Sequence, residues 1–115
     1  MGEIKEITQK IKNFRDERDW KQFHNHKDVA LSLVLEATEV LEHFQWKSPA
    51  EVEAHGVECK DEIADELADV SMFLFELADN LGIDLPHAIE DKMKKNAAKY
   101  PIEKSKGRHT KYNKL

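Results

Sequence analysis

Two pairs of carboxylates interrupt apolar stretches of this chain. Glu36 and Glu39 lie within the segment LVLEATEVL, and Glu66 and Asp69 lie within EIADELADV. On a helix, residues three positions apart face the same side, so each pair places two like charges about 5–6 Å apart at Cβ. If both faces turn inward, desolvation makes this repulsion costly unless a cation offsets it. Oxygen ligands suit Mg²⁺, Mn²⁺ or Ca²⁺, so the pattern favours a metal-dependent enzyme that acts on a phosphate-bearing substrate.

Acidic pairs at this spacing recur in the chain, and most of them are expected to be solvated helix faces. Other examples are Glu3/Glu6, Glu39/Glu42, Glu58/Asp61, Glu62/Asp65 and Glu76/Asp79. The two chosen pairs differ because apolar residues surround them and because their helices are expected to face each other. Spacing alone does not separate Glu76 and Asp79 from the others. A di-iron site is disfavoured, since no histidine stands three residues after these glutamates.

The elements that must position these carboxylates are helices. Only four glycines and three prolines occur in 115 residues, which predicts an all-α, four-helix bundle-like fold in one domain. The predicted helices cover residues 3–18, 29–45, 60–81 and 85–99, with a short additional helix over residues 49–56. We assign residues 1–101 to the domain and residues 102–115 to a basic tail that is expected to be extended or poorly ordered.

Capping residues set the predicted helix ends. Asp28 is expected to cap the second long helix, and Asp84 to open the last one. The segment SPAE from Ser48 is a capping box with proline at the first helical position, and Gly56 is expected to end that short helix. Gly82 is expected to stop the long helix before it.

The middle of the third long helix is apolar on nearly every side. From Val70 to Ala78 the sequence is VSMFLFELA, and a helix that is apolar all round is buried all round. A bundle of this size cannot cover such a helix by itself. We therefore predict a homo-oligomer.

Charge is divided unevenly along the chain. Residues 1–90 hold 9 lysines and arginines against 21 acidic residues, a net charge of −12, whereas residues 91–115 hold 9 against 2, a net charge of +7. The basic end is either a solvated tail or a source of cations for a polyanionic ligand. The acidic bulk disfavours binding to a nucleic-acid polymer.

No apolar run approaches about 18 residues, and Cys59 is the single cysteine, so no membrane partner and a cytoplasmic location are expected.

These residues resemble a known family. Glu36-x-x-Glu39, a gap of 26 residues and Glu66-x-x-Asp69 are similar to the motif of the MazG-like all-α nucleoside triphosphate pyrophosphohydrolases. The resemblance is closer to the dCTP pyrophosphatase branch and spans roughly residues 14–112. That branch has segments similar to ERDWKQFH at residues 17–24, to HFQWK at 43–47, to KMKKNAAKYP at 92–101 and to the tail at 105–112.

The resemblance implies hydrolysis of a nucleoside triphosphate, dCTP or a modified dCTP, to the monophosphate and pyrophosphate. It implies that the four carboxylates coordinate Mg²⁺, with Mn²⁺ as a substitute, and that Glu39 or a neighbour activates water. It implies that Trp20, His24 and Trp46 form a base and sugar pocket. It also implies that one helix face binds phosphate through Lys92, Asn96 and Tyr100. Nucleotide pockets between subunits imply a homodimer or a dimer of dimers.

One position departs from that branch. Four residues after Asp69 the branch has tyrosine, whereas this chain has Phe73, which lacks a hydroxyl group for the base pocket. The remaining histidines, among them His43 and His55, show no ligand spacing and are expected on the surface. The alternatives are a related dUTPase-like or phosphoribosyl-nucleotide hydrolase and a non-catalytic helical interaction module.

Overall fold

The computed structural model describes residues 2–114; Met1 and Leu115, the ends of the predicted domain and tail, lie outside it. Within residues 2–114 all regular structure is helical, which confirms the predicted all-α fold. The α-helices are α1 (Glu3–Glu17), α2 (His26–Glu42), α3 (Pro49–Glu58), α4 (Lys60–Asn80), α5 (Leu85–Lys99) and α6 (Ile102–Ser105). Short 3-10 turns cover Lys21–Phe23 and Tyr112–Lys114.

Helix α4 is the centre of the compact unit that extends up to Gly82. It packs against α2 most extensively, and also against α1 and α3. The predicted facing of the two carboxylate-bearing helices is therefore confirmed. The buried apolar side chains among residues 2–82 are those of Ile11, Val29 and Ala78, one each from α1, α2 and α4, and Val29 is fully buried.

Helix α2 begins three residues earlier than the sequence predicts. Asn25 is the cap, and its Oδ1 accepts a hydrogen bond of 2.9 Å from the backbone N–H of Asp28. A second hydrogen bond joins the same two residues, since Asp28 Oδ2 accepts a bond of 2.8 Å from Asn25 Nδ2. Asp28 thus lies inside the first turn, where its negative charge faces the helix N-terminus favourably.

Helix α3 begins at the predicted capping box but continues through the predicted stop. Ser48 Oγ accepts a bond from the backbone N–H of Glu51, and Glu51 Oε1 accepts one from the backbone N–H of Ser48. Gly56 lies inside the helix, which ends at Glu58. By contrast, Gly82 follows α4 with a φ of +68°, as expected for a residue that terminates a helix.

Alanine substitutions at Gly56 and Gly82 should change the free energy of unfolding in opposite directions. A Cβ added at Gly56 or at Gly82 meets nothing within 4 Å, so only the backbone matters. Gly56→Ala should stabilise the protein by about 1 kcal/mol, because alanine is the better helix residue. Gly82→Ala should destabilise it by about 1 kcal/mol, because a left-handed φ strains an L-residue. Urea denaturation measures both, and changes of the same sign would contradict this account.

The chain from Ile83 onward forms a second compact unit. Helix α5 has the predicted bounds, because Asp84 Oδ1 accepts a hydrogen bond from the backbone N–H of His87 and Tyr100 caps the other end. The expectation of an extended or poorly ordered tail is wrong for Ile102–Ser105, which forms α6 directly after Pro101. Proline at this point has the fixed φ that suits the start of a helix.

Many large apolar side chains remain exposed. Within the first unit, Val34 and Leu35 on α2 are 60% and 56% exposed, and Leu67 on α4 is 50% exposed. Between Val70 and Ala78, the chain itself fully buries only Glu76 and Ala78, so the predicted burial on all sides does not occur within one copy. No helix within residues 2–114 has the length and apolarity needed to cross a bilayer.

Candidate functional site

The four predicted carboxylates lie on the two helices that pack against each other. Glu36 and Glu39 are on α2, and Glu66 and Asp69 are on α4. Glu39 is exposed, whereas the other three are half-buried. The sequence pattern therefore brings both pairs to one helix–helix interface.

The carboxylates of this interface affect the pKa of Glu36. Burial raises the pKa of Glu36, and the neighbouring carboxylates of Glu39, Asp69 and Glu66 raise it further. Each of these effects disfavours the charged form of Glu36. The other three carboxylates are thus close enough to Glu36 to disfavour its negative charge.

This repulsion predicts a pH dependence of stability. The pKa of Glu36 is near 4.5 in the unfolded chain and is higher in the folded protein. At pH values between these two pKa values, the folded protein keeps the proton of Glu36 and the unfolded chain has lost it. The free energy of unfolding of the metal-free protein should therefore fall as pH rises through this interval. Glu36→Gln removes this contribution. Urea denaturation in chelator between about pH 5 and pH 7.5 measures the difference. Parallel curves for the wild type and the variant would contradict the assignment.

The donor set fits a hard cation. Oε2 of Glu36 and Oε2 of Glu66 are buried and accept no hydrogen bond within the part of the chain that the structure describes. Buried carboxylate oxygens that accept no hydrogen bond are unusual and call for a compensating positive charge. The side chains are not yet closed around such an ion, since no three His, Cys, Asp or Glu side chains among residues 2–114 converge on one point. Rotations of the carboxylates would be needed to bring their oxygens together.

A histidine pair borders this site, contrary to the expectation of surface positions for both residues. His43 Nε2 lies 2.7 Å from Glu66 Oε2, close enough for an ion pair when His43 is protonated, although the angle is not that of a hydrogen bond. On its other side, His43 Nδ1 is 2.7 Å from His55 Nε2. If one histidine of this pair is protonated, its positive charge partly balances the negative charge of Glu66.

A cavity of about 120 Å³ opens beside the carboxylates. Asp69 belongs to its wall, and the predicted pocket residues Trp20, His24 and Phe73 line it as well. The remaining lining side chains are Ile11, Phe14, Arg15, Met72 and Glu76. The ring of Trp20 is held edge-on to Phe14, with centroids 5.9 Å apart, and the ring of His24 lies 6.5 Å from that of Phe73.

Sequence reasoning missed the buried polar groups of this cavity. Arg15 and Glu76 are 3% and 2% exposed, and Glu76 binds His24. One signal was available for Glu76, because it is the sole charged residue in the segment from Val70 to Ala78. No comparable signal marks Arg15, which stands among other charged residues.

The two tryptophans occupy different surroundings. Trp20 lines the cavity, whereas Trp46 follows α2, is 92% exposed and is not among the lining residues. Asp19, directly before Trp20, and Trp46 itself have positive φ values of 55° and 67°. For residues other than glycine this conformation costs about 1 kcal/mol or more, and such outliers concentrate at functional sites.

The predicted phosphate-binding residues lie in the second unit. Lys92, Asn96 and Tyr100 recur one helical turn apart along α5 and at its end, and all three are exposed. Their spacing places them on one face, as the sequence predicts.

Comparison with known proteins identifies the family. The model of the MazG-like family matches residues 31–115. The chain belongs to the MazG-like family. Rat dCTP pyrophosphatase 1 is 40% identical over 114 residues, which cover 97% of this chain and 67% of the rat protein. Human dCTP pyrophosphatase 1 is 36% identical over the same shares of both proteins.

A solved structure has the same fold as this chain. A pyrophosphatase from Archaeoglobus fulgidus superposes with a TM-score of 0.83 at 36% identity, covering 88% of this chain and 94% of that protein. The predicted family and the predicted enzyme class, a nucleoside triphosphate pyrophosphatase, are thereby confirmed.

Proposed function

We propose that this MazG-like protein is an Mg²⁺-dependent pyrophosphohydrolase that cleaves dCTP or a modified dCTP to the monophosphate and pyrophosphate. One observation carries the proposal. Asp69 belongs both to the carboxylate cluster and to the wall of an aromatic cavity. A nucleotide has the matching polarity, with a flat ring at one end and phosphates at the other.

The carboxylates are proposed to hold the cation. Glu36, Glu39, Glu66 and Asp69 supply only oxygen donors, which suits Mg²⁺ and also Mn²⁺. When bound, the ion would neutralise phosphate charge and favour attack by water. Glu39 is the exposed member of the set, so we propose that its carboxylate accepts the proton of the attacking water.

The cavity is proposed to hold the base. Trp20 and Phe73 offer aromatic surfaces for the ring, and His24 offers a polar contact. An engineered cavity of about 150 Å³ holds one benzene molecule, so a cavity of about 120 Å³ has room for a single six-membered ring. The size supports a pyrimidine substrate, as do the names of the relatives.

The remaining parts of the site are proposed on chemical grounds. Lys92 and Asn96 offer a cation and a hydrogen-bond donor on one face of α5 for phosphate oxygens, and Tyr100 adds a hydroxyl. Trp46 is proposed to complete the base and sugar pocket. The exposed apolar side chains of α2 and α4 support assembly into a homodimer or a dimer of dimers.

The test is pyrophosphate release from a panel of all common nucleoside triphosphates, with 5-methyl-dCTP and dUTP added, in Mg²⁺ and in chelator. We expect Mg²⁺-dependent release that favours cytosine deoxynucleotides. Mg²⁺ should also raise the melting temperature, since a ligand that binds only the folded state stabilises it. Equal release from purine and pyrimidine nucleotides would overturn the dCTP assignment, and release in chelator would overturn the metal requirement.

A further inference from the structure

Two histidines connect helix α3 with the carboxylate site. His43 is the residue that caps the end of α2, and His55 lies on α3. Their rings are tilted at 43° with centroids 5.0 Å apart, and His43 Nδ1 lies 2.7 Å from His55 Nε2. The ring of Phe44 stands edge-on to that of His55, with centroids 6.0 Å apart. The ring of His43 is therefore held through its Nδ1 by a packed neighbour.

The other ring nitrogen of His43 faces Glu66 on α4. His43 Nε2 lies 2.7 Å from Glu66 Oε2, and the two side chains are 13% and 27% exposed. Among residues 2–114, no other basic side chain lies within 4.0 Å of this carboxylate. Glu66 Oε2 is itself buried and accepts no hydrogen bond of good geometry from the described residues. His43 is thus the group placed to donate to it.

The protons of this array follow from the contacts, whether His43 is neutral or charged. Two ring nitrogens 2.7 Å apart share one proton, because two lone pairs or two protons would repel each other. If His55 donates this proton, Nδ1 of His43 is an acceptor and the ring carries its proton on Nε2. If His43 donates it, Nε2 must carry a second proton, since a bare nitrogen would turn its lone pair toward an ionised carboxylate. Both arrangements place an N–H of His43 beside Glu66.

The angle between this N–H and Glu66 Oε2 is poor, although the distance is short. A turn of the Glu66 carboxylate can improve the angle, and turns of the carboxylates are also needed before their oxygens can converge on one ion. A carboxylate has two oxygens, so Glu66 can accept from His43 with one and offer the other to a cation. Hydrogen bonds to ligating side chains fix their direction and raise metal affinity.

We propose that His43, held by His55, is a positioning residue that donates from Nε2 to one oxygen of Glu66 and directs the other toward the cation. The inference rests on the proposed function, because it takes Glu66 as a metal ligand. It also gives a task to α3, which carries none of the proposed ligands, since His55 on α3 reaches the site through His43.

Binding of Mn²⁺ without nucleotide tests this role apart from catalysis. The EPR signal of the free ion gives Kd for the wild type and for two variants at position 43. His43→Leu removes the donor but keeps an apolar side chain in place, and we expect Kd to rise about tenfold or more. His43→Gln keeps an N–H donor at the end of the side chain, so Kd should stay within about threefold of the wild type. An unchanged Kd in His43→Leu, or an equal rise in both variants, would overturn the proposal.

His87→Leu is the matched control. His87 Nε2 lies 3.2 Å from Asp91 Oδ2 on α5, so this pair has the same chemistry in the second unit. Neither residue belongs to the proposed site, and the contact is largely exposed. The Kd for Mn²⁺ should therefore stay within about twofold of the wild type. A rise equal to that in His43→Leu would show that the loss of any histidine–carboxylate pair has this effect, and would overturn a specific role.

A second measurement needs neither metal nor activity. The ¹⁵N chemical shifts of the His43 ring, assigned by their loss in His43→Gln, report which ring nitrogens carry protons. We expect a proton on Nε2 in the wild-type protein at neutral pH in chelator. A bare Nε2 would overturn the proposal even if His43→Leu fails to fold. A wild-type protein that binds no Mn²⁺ would instead overturn the metal site of the proposed function, and the inference with it.

Discussion

Replacement of Glu39 by alanine should abolish pyrophosphate release while the protein remains folded. Glu39 is exposed in the chain, so its truncation removes no core packing. Its loss should remove a proposed metal ligand and the proposed acceptor for the proton of water. Metal and general-base contributions together amount to several kcal/mol, so we expect a loss of about 10³-fold or more in kcat. Pyrophosphate release from dCTP at saturating Mg²⁺ measures it.

Glu42→Ala is the control for this experiment. Glu42 is the next acidic residue on α2, three positions after Glu39, and it is also exposed. Its removal changes the charge of the helix by the same amount without touching the proposed ligand set. Near-normal turnover in Glu39→Ala, or an equal loss in Glu42→Ala, would exclude the proposed metal site. Thermal melting in chelator shows whether both variants are folded.

Replacement of Glu76 by alanine should lower the free energy of unfolding by about 3 kcal/mol. The change leaves the buried guanidinium of Arg15 without its buried counter-charge and leaves His24 Nδ1–H without an acceptor. Breaking a buried pair by removing one partner is costly for this reason. Urea denaturation at neutral pH in chelator gives the value without any contribution from metal binding.

Two further variants separate burial from ion pairing as the cause. Asp79→Ala breaks the partly exposed pair with Lys12 and should cost less than about 1 kcal/mol. The double variant Arg15→Met with Glu76→Leu replaces both buried charges by apolar groups and should recover most of the stability lost in Glu76→Ala. Equal costs for Glu76→Ala and Asp79→Ala would contradict the claim that burial determines the effect.

Local patterns predicted the helices well and their ends less well. The bounds of α5 follow from a cap residue and a terminating Tyr-Pro pair that have no competitors nearby. At α2 two good cap residues, Asn25 and Asp28, stand three positions apart and bind each other, so the sequence does not show which one starts the helix. Gly56 was wrongly expected to end α3, because the packing of α3 against α4 outweighs the low helix propensity of one glycine.

The site was predictable where its residues repeat along one helix. Glu36 and Glu39, and Glu66 and Asp69, share helix faces, so spacing revealed each pair. The hydrogen bond between His24 and Glu76 joins residues 52 positions apart, and no single-sequence pattern encodes such a contact. The closeness of His43 to Glu66 was missed for the same physical reason, since it depends on how α2 packs against α4.

If the proposed site is correct, helix α4 also fixes the distance between the two ends of the bound substrate. Its residues Glu66, Asp69, Phe73 and Glu76 follow one another at intervals of three and four, so they form one stripe along the helix. Ten residues at 1.5 Å per residue separate the first from the last by about 15 Å. Because an α-helix neither stretches nor shortens, a molecule whose phosphates are anchored at one end cannot slide its ring at the other. The rigid helix would thus measure the reach of the nucleotide as well as recognise its two ends.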